Sequence, residues 1–144
     1  MDEFFKYWFS GFESSLDMID EASRKQIFTV CGKACSNSYT KQIYLNAKNN
    51  SKSEEEFINE LRKSFPEVEI SVKENGLKYD IIYKYCACDL VRKNYVKSKH
   101  LCECSKASLL YNWKTIFGEG NVEVELVQSI LSGASYCHFI VNIK

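Results

Sequence analysis

The chain has 144 residues, which favours one domain that buries about two thirds of the surface of its unfolded form. Apolar residues make up 45% of the sequence and there is a single proline, a composition that excludes a disordered chain. Nineteen basic residues balance nineteen acidic ones, so the sequence lacks the positive charge that is typical of proteins that bind nucleic acids.

The compartment is predicted from the first residues and from the cysteines. The chain begins Met-Asp-Glu-Phe-Phe-Lys, with acidic residues where a signal peptide has a basic region, and no stretch is apolar and long enough to cross a bilayer. We therefore expect a cytoplasmic protein that does not associate with a membrane. Because cytosolic thiols stay reduced, the seven cysteines are expected to be buried apolar residues, metal ligands or reactive thiols.

Two amphipathic helices are predicted first. The apolar stripe of the first helix is mostly aromatic and consists of Phe5, Trp8, Phe9, Phe12, Leu16 and Ile19. Such a stripe packs into a core or forms one wall of a ligand cavity. The second helix is predicted to start near Asp20 or Ser23 and to turn inward Ile27, Val30, Cys31, Ala34 and Cys35. Its two cysteines are one turn apart, a spacing that suits either paired metal ligands or an ordinary core.

The next helix and the first hairpin have strong local signals. Ser53 and Glu56 predict a capping box, and Pro66 ends the helix after the inward residues Phe57, Leu61 and Phe65. Asn75-Gly76 then predicts a hairpin with a two-residue type I′ turn. Such a turn places three cross-strand pairs on one face: Val72 with Tyr79, Ile70 with Ile81, and Val68 with Tyr83.

The last part of the chain predicts a loop, a helix and a second hairpin. Residues 91–101 are mostly polar and basic, which indicates a solvated loop. A helix is predicted to begin near Ser105 and to end at Gly118 or Gly120, with an inward face of Ala107, Leu110, Trp113 and Ile116 or Phe117. Two strands follow, joined by a two-residue loop through Gly133, and their apolar residues are predicted to share one side: Val122, Val124, Leu126, Cys137, Phe139, Val141 and Ile143.

These elements together predict an α+β domain over residues 1–144, in the order αααββαββ. Two hairpins form an antiparallel sheet, and because each helix must bury its apolar stripe, the helices are expected to pack mainly on one face of that sheet.

The late cysteines are the strongest candidates for chemistry. Two Cys-x-Cys pairs and the last strand supply Cys86, Cys88, Cys102, Cys104 and Cys137. Four thiolates can hold zinc in a tetrahedron, so a subset of these cysteines is a candidate zinc site. Alternate residues of an extended segment point to opposite faces, and one cysteine of each pair is therefore expected to face a given site.

A nucleophilic thiol is the alternative use of the same cysteines. If Ser105 caps the predicted helix, Cys104 lies at the positive end of the helix dipole, where the pKa of a thiol falls. His100 or His138 could then act as the base of a Cys/His pair.

The end of the chain resembles a known family. Residues 125–140, in which Gly133 is followed by Cys137 and Phe139, resemble the closing motif of vinyl-reductase-type (4-vinyl reductase-like) ligand-binding domains. They are also similar to the end of the L-2-amino-thiazoline-4-carboxylic acid hydrolase family. The resemblance implies a bacterial α/β domain, often dimeric, with a buried pocket for a small apolar molecule. It also implies zinc ligands at Cys102 or Cys104 and at Cys137, although Ser129 stands where another cysteine is expected.

The lead hypothesis is a cytoplasmic small-molecule-binding domain, a sensor or a carrier, for an apolar or heterocyclic molecule. Its predicted pocket is lined by Trp8, Phe12, Trp113 and Phe139, with the thiols at one edge, zinc as the candidate cofactor and a homodimer as the candidate assembly. The alternative is a thiol-dependent hydrolase of a small heterocyclic or amide substrate, with Cys104 or Cys102 as the nucleophile. A module that only binds a partner is the third interpretation.

Overall fold

In the computed structural model, which describes residues 2–86 and 88–144, four helices precede the first hairpin, and two more lie between it and the second hairpin. The helices are α1 (Asp2–Leu16), α2 (Glu21–Cys35), α3 (Lys41–Asn49), α4 (Glu54–Ser64), α5 (Asp89–Arg92) and α6 (Cys102–Phe117). The strands are β1 (Val68–Glu74), β2 (Lys78–Tyr83), β3 (Val122–Gln128) and β4 (Cys137–Ile143). A π-helical segment, Ser36–Thr40, joins α2 to α3. The predicted α+β class and order are confirmed, with α2 and α3 forming one continuous helical stretch.

The sheet is antiparallel throughout and has the strand order β1-β2-β4-β3. In the first hairpin the three predicted cross-strand pairs are present. The turn is different from the one predicted. It spans residues 75–77, only Gly76 of the predicted pair has a positive φ (75°), and the register shifts between Val72 and Glu74. A type I′ turn needs positive φ at both central residues, and here only one has it. The shift between Val72 and Glu74 restores the predicted pairing instead.

The second hairpin keeps the predicted face but not the predicted loop. Leu126 pairs with Phe139 and Val124 with Val141, so the apolar residues of the two strands lie on the same side. The connection is longer than two residues because Ser129 caps a 3-10 turn, Ile130–Ser132, by accepting a hydrogen bond from the amide of Ser132. Gly133 ends that turn with φ 101°, which is the conformation that glycine allows without strain.

The main core lies between one face of the sheet and α3, α4 and α6. Its centre is Trp113, which is fully buried and whose ring lies 5.2 Å from that of Tyr79 and 6.3 Å from that of Phe57, between centroids. The other buried members are Tyr44, Ala47, Ile58, Leu61, Val68, Ile70, Ile81, Leu109, Val122, Phe139 and Val141. Each large apolar side chain buried in this way stabilises the fold by about 1.5–3 kcal/mol, so this cluster holds the domain together.

A smaller apolar cluster lies under α1. It shows that the predicted solvated loop is partly buried and that the stripe of α1 is partly exposed. Leu16, Phe28, Val96 and Leu101 are buried in it, and Phe9 and Phe12 pack against it. The segment predicted to be a solvated loop therefore contributes two core residues, because α1 needs a partner for its stripe and packs on this segment. The stripe itself is only partly covered: Phe5 is 37% exposed and Trp8 is 55% exposed.

The buried face of α2 is not the predicted one. Asp20 caps the helix as expected, accepting a hydrogen bond from the amide of Ser23. The residues that face inward are Phe28, Gly32 and, just beyond the helix, Ser36, whereas the predicted inward residues are exposed: Ile27, Val30, Cys31, Ala34 and Cys35. Gly32 decides this orientation. A Cβ atom placed on Gly32 would lie 2.6 Å from the carbonyl oxygen of Cys104, so the backbones of α2 and α6 are in contact there.

The π-helical segment docks on α6 through buried polar groups. The Ser36 hydroxyl donates to the side-chain oxygen of Asn112, and both residues are buried. The Asn112 amide in turn donates to the Thr40 hydroxyl at 3.3 Å. Buried polar groups are costly unless they are paired, so this network fixes how the π-helical segment packs against α6. None of the described helices is long and apolar enough to span a membrane.

Candidate functional site

The late cysteines fall into two groups of neighbours, and Cys86 is also close to Cys88. Cys86, Cys102 and Cys137 lie near one another where β2 ends and where β4 and α6 begin; we name them the sheet-end thiols. Cys88 and Cys104 lie near Cys31 and Cys35 of α2; we name these four the helix thiols. All seven cysteines are free thiols.

Of the sheet-end thiols, Cys102 is buried, whereas Cys86 and Cys137 are half-buried. Burial raises the pKa of Cys102, a hydrogen bond with Ser129 partly offsets this, and the neighbouring Cys137 and Cys86 raise the pKa further. The sulfur of Cys137 accepts a hydrogen bond from the amide of Ile130 at 3.3 Å. Proton loss from Cys102 is therefore disfavoured, and its thiol packs the end of the sheet as a weakly polar side chain.

The helix thiols also have unfavourable surroundings for a nucleophile. α6 begins at Cys102 rather than near Ser105, because a 3-10 turn capped by Ser98 leads into it. Cys104 is consequently inside the first turn of the helix. Burial, followed by the nearby thiols of Cys35, Cys31 and Cys88, raises the pKa of Cys104 to about 12. The predicted lowering of this pKa is wrong, since desolvation outweighs the helix dipole.

Neither histidine is placed to serve a thiol in the described part of the chain. Nε2 of His100 lies 3.3 Å from Oδ1 of Asp17. Nε2 of His138 lies 3.0 Å from Oδ1 of Asp80 on the uncovered face of the sheet, whereas Cys137 is on the covered face. The predicted Cys/His pair is therefore not formed by either imidazole.

The same geometry bears on the predicted zinc site. Over residues 2–86 and 88–144, no three histidine, cysteine or acidic side chains are arranged to hold a metal ion. Zinc binding stays a prediction from the sequence.

The predicted pocket residues do not lie together. Trp113 and Phe139 are fully buried in the main core, Phe12 packs against the smaller cluster, and Trp8 stacks on Phe12 at 5.8 Å with half of its surface exposed. They belong to two clusters because α1 packs on residues 88–101 rather than on the sheet. A pocket shared by these four side chains is not what the fold provides.

A cleft that the sequence did not reveal lies where α3 ends and α4 begins, next to the end of α6. It has a volume of about 340 Å³ and is lined by Lys48, Ser51, Lys52, Ser53, Glu54, Phe57 and Phe117. We name it the lysine cleft. The capping box predicted at Ser53 shapes its rim, since Ser53 accepts a hydrogen bond from the Glu56 amide while the Glu56 carboxylate accepts one from the Lys52 amide. In the sequence, the one sign of this cleft is the polar stretch that precedes Ser53.

The floor of the lysine cleft leads into the aromatic centre of the main core. The rings of Phe57 and Phe117 are 5.9 Å apart, and Trp113 stacks on Phe117 at 5.4 Å. Nε1 of Trp113 is buried beside the hydroxyl of Tyr44. Burial raises the pKa of Tyr44, and a hydrogen bond with Trp113 partly offsets this. The aromatic centre of the core therefore lies directly behind the apolar part of the cleft.

A charged network lies on the opposite face of the sheet. Asp80 is only 8% exposed, and its carboxylate bonds His138 and, at 3.2 Å, Nζ of Lys73. Burial alone would raise the pKa of Asp80, but the hydrogen bonds from His138 and Lys73 outweigh it, and the pKa lies below its usual value.

We expect this network to make stability depend on acid. A carboxylate whose pKa is lowered by folding stabilises the protein above about pH 4, and this contribution is lost as the pH falls through the lower pKa of the folded state. The Asp80→Asn variant should therefore have a lower free energy of unfolding than wild type near neutral pH, and the difference should narrow in acid. Urea unfolding of both proteins, near neutral pH and in acid, measures this difference in the free energy of unfolding. Glu123→Gln is the control, because Glu123 bonds Lys144 at 2.7 Å but is exposed; an equal effect in that variant would contradict the prediction.

Comparisons with known proteins identify the fold. No family model matches the sequence, and no curated protein sequence matches it. A crystal structure of a trafficking protein particle complex subunit 3 from Naegleria fowleri, covalently bound to palmitic acid, is similar. The TM-score is 0.60 at 10% sequence identity, and the match covers 99% of this chain and 95% of that chain. The likeness is one of fold alone. The resemblance to vinyl-reductase-type domains stays a prediction.

Proposed function

We propose that this protein is a cytoplasmic small-molecule-binding domain, a sensor or a carrier, whose ligand is an amphiphile with an anionic head and an apolar tail. The lysine cleft is the observation that carries the proposal. It combines two ammonium groups at its rim, from Lys48 and Lys52, with the rings of Phe57 and Phe117 at its floor. Small-molecule sites combine apolar groups with polar groups that fix the orientation, and here five of the seven lining residues are polar.

The charges of the cleft favour an anion. In the described part of the chain, neither Lys48 nor Lys52 forms a salt bridge with a carboxylate, so both charges are free to meet a ligand. Glu54 removes part of the positive charge, which limits the preference to a ligand with a single negative head group. A tail placed against Phe117, which is half-buried, would gain about 25 cal/mol for each Å² of apolar surface removed from water, whereas Phe57 is only 1% exposed.

The similar structure supports the same class of ligand. The Naegleria fowleri protein is covalently bound to palmitic acid, a molecule with a long apolar tail. None of the residues that line the lysine cleft here is a cysteine. We therefore propose reversible binding of a fatty acid or a related amphiphile. The seven free thiols agree with a reducing compartment such as the cytoplasm.

The fluorescence of Trp113 tests the proposal, because Trp8 is the only other tryptophan and can be changed to phenylalanine. In a Trp8→Phe background, we expect sodium palmitate to change the emission of Trp113 in a saturable way. Reversing both rim charges, with Lys48→Glu and Lys52→Glu, should weaken binding at least about tenfold, which corresponds to about 1.4 kcal/mol.

The control carries the same type of charge change far from the cleft, at the exposed Lys93. Lys93→Glu should bind palmitate like the background protein. Equal weakening by Lys93→Glu would show that only overall charge matters. An emission spectrum that does not respond to palmitate at all would contradict the proposal.

A second candidate function, association with a protein partner or a second copy, is favoured by the exposed aromatic face of α1. Phe4 is 61% exposed, Tyr7 77% and Trp8 55%. Large apolar side chains that are exposed next to one another often mark a surface that binds another protein. In this case palmitate would leave Trp113 unchanged, and light scattering would give a mass well above the 16.7 kDa of one chain. No observation comparably favours the thiol-dependent hydrolase, whose predicted nucleophile has a raised pKa and no histidine beside it.

A further inference from the structure

The first hairpin places β1 at one edge of the sheet. The carbonyl oxygen of Ile70 accepts hydrogen bonds from Nη2 and Nε of Arg62, at 2.7 and 3.2 Å, and the amide of Val68 donates to the carbonyl of Phe65. Both backbone groups therefore point away from β2. Because this direction alternates along a strand, the backbone groups of Val72 point the same way. A groove of about 370 Å³ runs along this edge beside Arg62, so another strand can reach it.

The opposite edge of the sheet, β3, is unsuited to pairing with its own copy. When a strand pairs antiparallel with a second copy, residues equally far from the two-fold axis on either side lie opposite each other. An axis at Val124 places Glu123 opposite Glu125 of the second copy, and an axis at Glu125 places this acid opposite itself. Like charges directly opposite each other are destabilising, so the acids of β3 oppose such a pairing.

The charges of β1 favour the same kind of pairing. An axis at Ser71, the middle residue of β1, places Glu69 opposite Lys73 of the second copy, and Lys73 opposite Glu69 of the second copy. Within one chain, Glu69 already bonds Lys84 at 3.1 Å and Lys73 bonds Asp80 at 3.2 Å. A pairing about Ser71 joins these ion pairs into a row in which basic and acidic side chains alternate from one copy to the next.

The backbone fits this register as well. The axis at Ser71 places Ile70 opposite Val72 of the second copy, and the backbone groups of both point outward, so the two residues can exchange both of their N–H···O bonds. Glu69 and Lys73 then form the closer, non-hydrogen-bonded pairs, with Cα atoms about 4.5 Å apart. Val72 is 42% exposed in the single chain and becomes covered by the second copy.

We propose that β1 is a homodimer interface, in which the β1 strands of two copies pair antiparallel about Ser71 and their four-stranded sheets become one continuous sheet. Arg62 opposes this association, because the carbonyl of Ile70 must exchange Arg62 for the amide of Val72 of the second copy. A single strand edge buries a small area, so the dimer is in equilibrium with the monomer and forms at high protein concentration. This inference does not depend on the proposed ligand, since the lysine cleft lies at α3 and α4.

Sedimentation equilibrium of the full chain tests the dimer. Between micromolar and millimolar concentrations, we expect the mass to rise from the 16.7 kDa of one chain towards twice that value. Arg62→Ala, which frees the carbonyl of Ile70, should strengthen the dimer about three- to tenfold. Trp8→Ala is the control for the exposed aromatic face of α1 and should dimerise like wild type.

Two charge variants test the register. Glu69→Lys alone and Lys73→Glu alone should each weaken self-association about tenfold, because like charges then lie opposite each other. When the two variants are mixed they should form a heterodimer, since every acidic side chain again lies opposite a basic one. The bonds to Lys84 and Asp80 are lost equally with and without mixing, so the comparison isolates the contact between copies. Glu125→Lys, on the exposed opposite edge, should self-associate like wild type.

Three outcomes overturn the proposal. The first is a protein that stays monomeric at millimolar concentration even as Arg62→Ala. The second is a mixture of the two charge variants that forms no more dimer than either variant alone. The third is association that Trp8→Ala abolishes and Glu69→Lys leaves unchanged, which would assign the second copy to α1. If Lys73→Glu fails to fold, Glu69→Lys and Arg62→Ala, both at exposed positions, still decide the outcome.

Discussion

The Gly32→Ala variant should unfold at a lower urea concentration than the wild-type protein, with a loss of about 1–3 kcal/mol in the free energy of unfolding. The added methyl group would lie 2.6 Å from the backbone oxygen of Cys104, 2.8 Å from Cβ of Ala107 and 2.9 Å from the backbone nitrogen of Ser108. Two of these three atoms belong to the backbone of α6, so the helices must separate to admit it. The cost of this separation exceeds the gain of roughly 1 kcal/mol that alanine brings to a helix interior.

Gly11 is the matched control, because it also lies inside a helix but has open space around it. Apart from its two chain neighbours and the nearby backbone of its own helix, no described residue has an atom within 4 Å of a Cβ placed on Gly11. Gly11→Ala should therefore stabilise the protein by about 0.5–1 kcal/mol, through helix propensity alone. The same substitution thus changes stability in opposite directions at the two positions. A stabilising Gly32→Ala would mean that α2 and α6 do not make this contact.

The Trp113→Ala variant is expected to show the largest loss of stability, about 3–5 kcal/mol. The side chain is fully buried and its ring touches the aromatic rings of both hairpin and helix residues, including Tyr79, Phe57 and Phe117. Its removal leaves a cavity in the centre of the main core that these neighbours cannot fill. Because small domains have a total stability of about 5–15 kcal/mol, part of the variant should be unfolded at physiological temperature.

Trp8→Ala tests whether the two tryptophans differ as the fold indicates. Trp8 is 55% exposed and its main contacts are Phe9 and Phe12 of the same helix. Its loss should cost less than about 1 kcal/mol, the usual value of an exposed aromatic pair. Circular dichroism during thermal or urea unfolding compares the two variants without relying on tryptophan fluorescence. Similar losses in both would place α1 in the main core, in conflict with the structure.

These two contrasts bear on function as well as stability. Trp113 stands directly behind the floor of the lysine cleft, so a variant that destabilises the core should also alter the proposed ligand site. Trp8 belongs to the aromatic face that would serve a protein partner. If only Trp113→Ala lost palmitate binding and only Trp8→Ala lost association, the protein would use the two surfaces for separate purposes.

Features set by residues close together in the chain were predictable from the sequence. The cap at Asp20, the capping box at Ser53 and the end of α6 at Gly118 depend on hydrogen bonds and dihedral angles within a few residues. The pairing of Ile70 with Ile81 follows from strand alternation and from how close the two strands lie in the chain. These local rules were sufficient for the α+β class and for the order of the elements.

The faces that meet in three dimensions were decided by the tertiary structure. Apolar periodicity predicted that Cys31 and Cys35 face inward, yet α2 buries Gly32 and Ser36, because a glycine lets two backbones approach while larger side chains hold them apart. The lysine cleft joins residues that are about half the chain apart, so no spacing in the sequence marks it. The sequence specifies the reactive side chains and their order. Which of them become neighbours depends on side-chain volume and on packing between helices, and these interactions exist only in the folded chain.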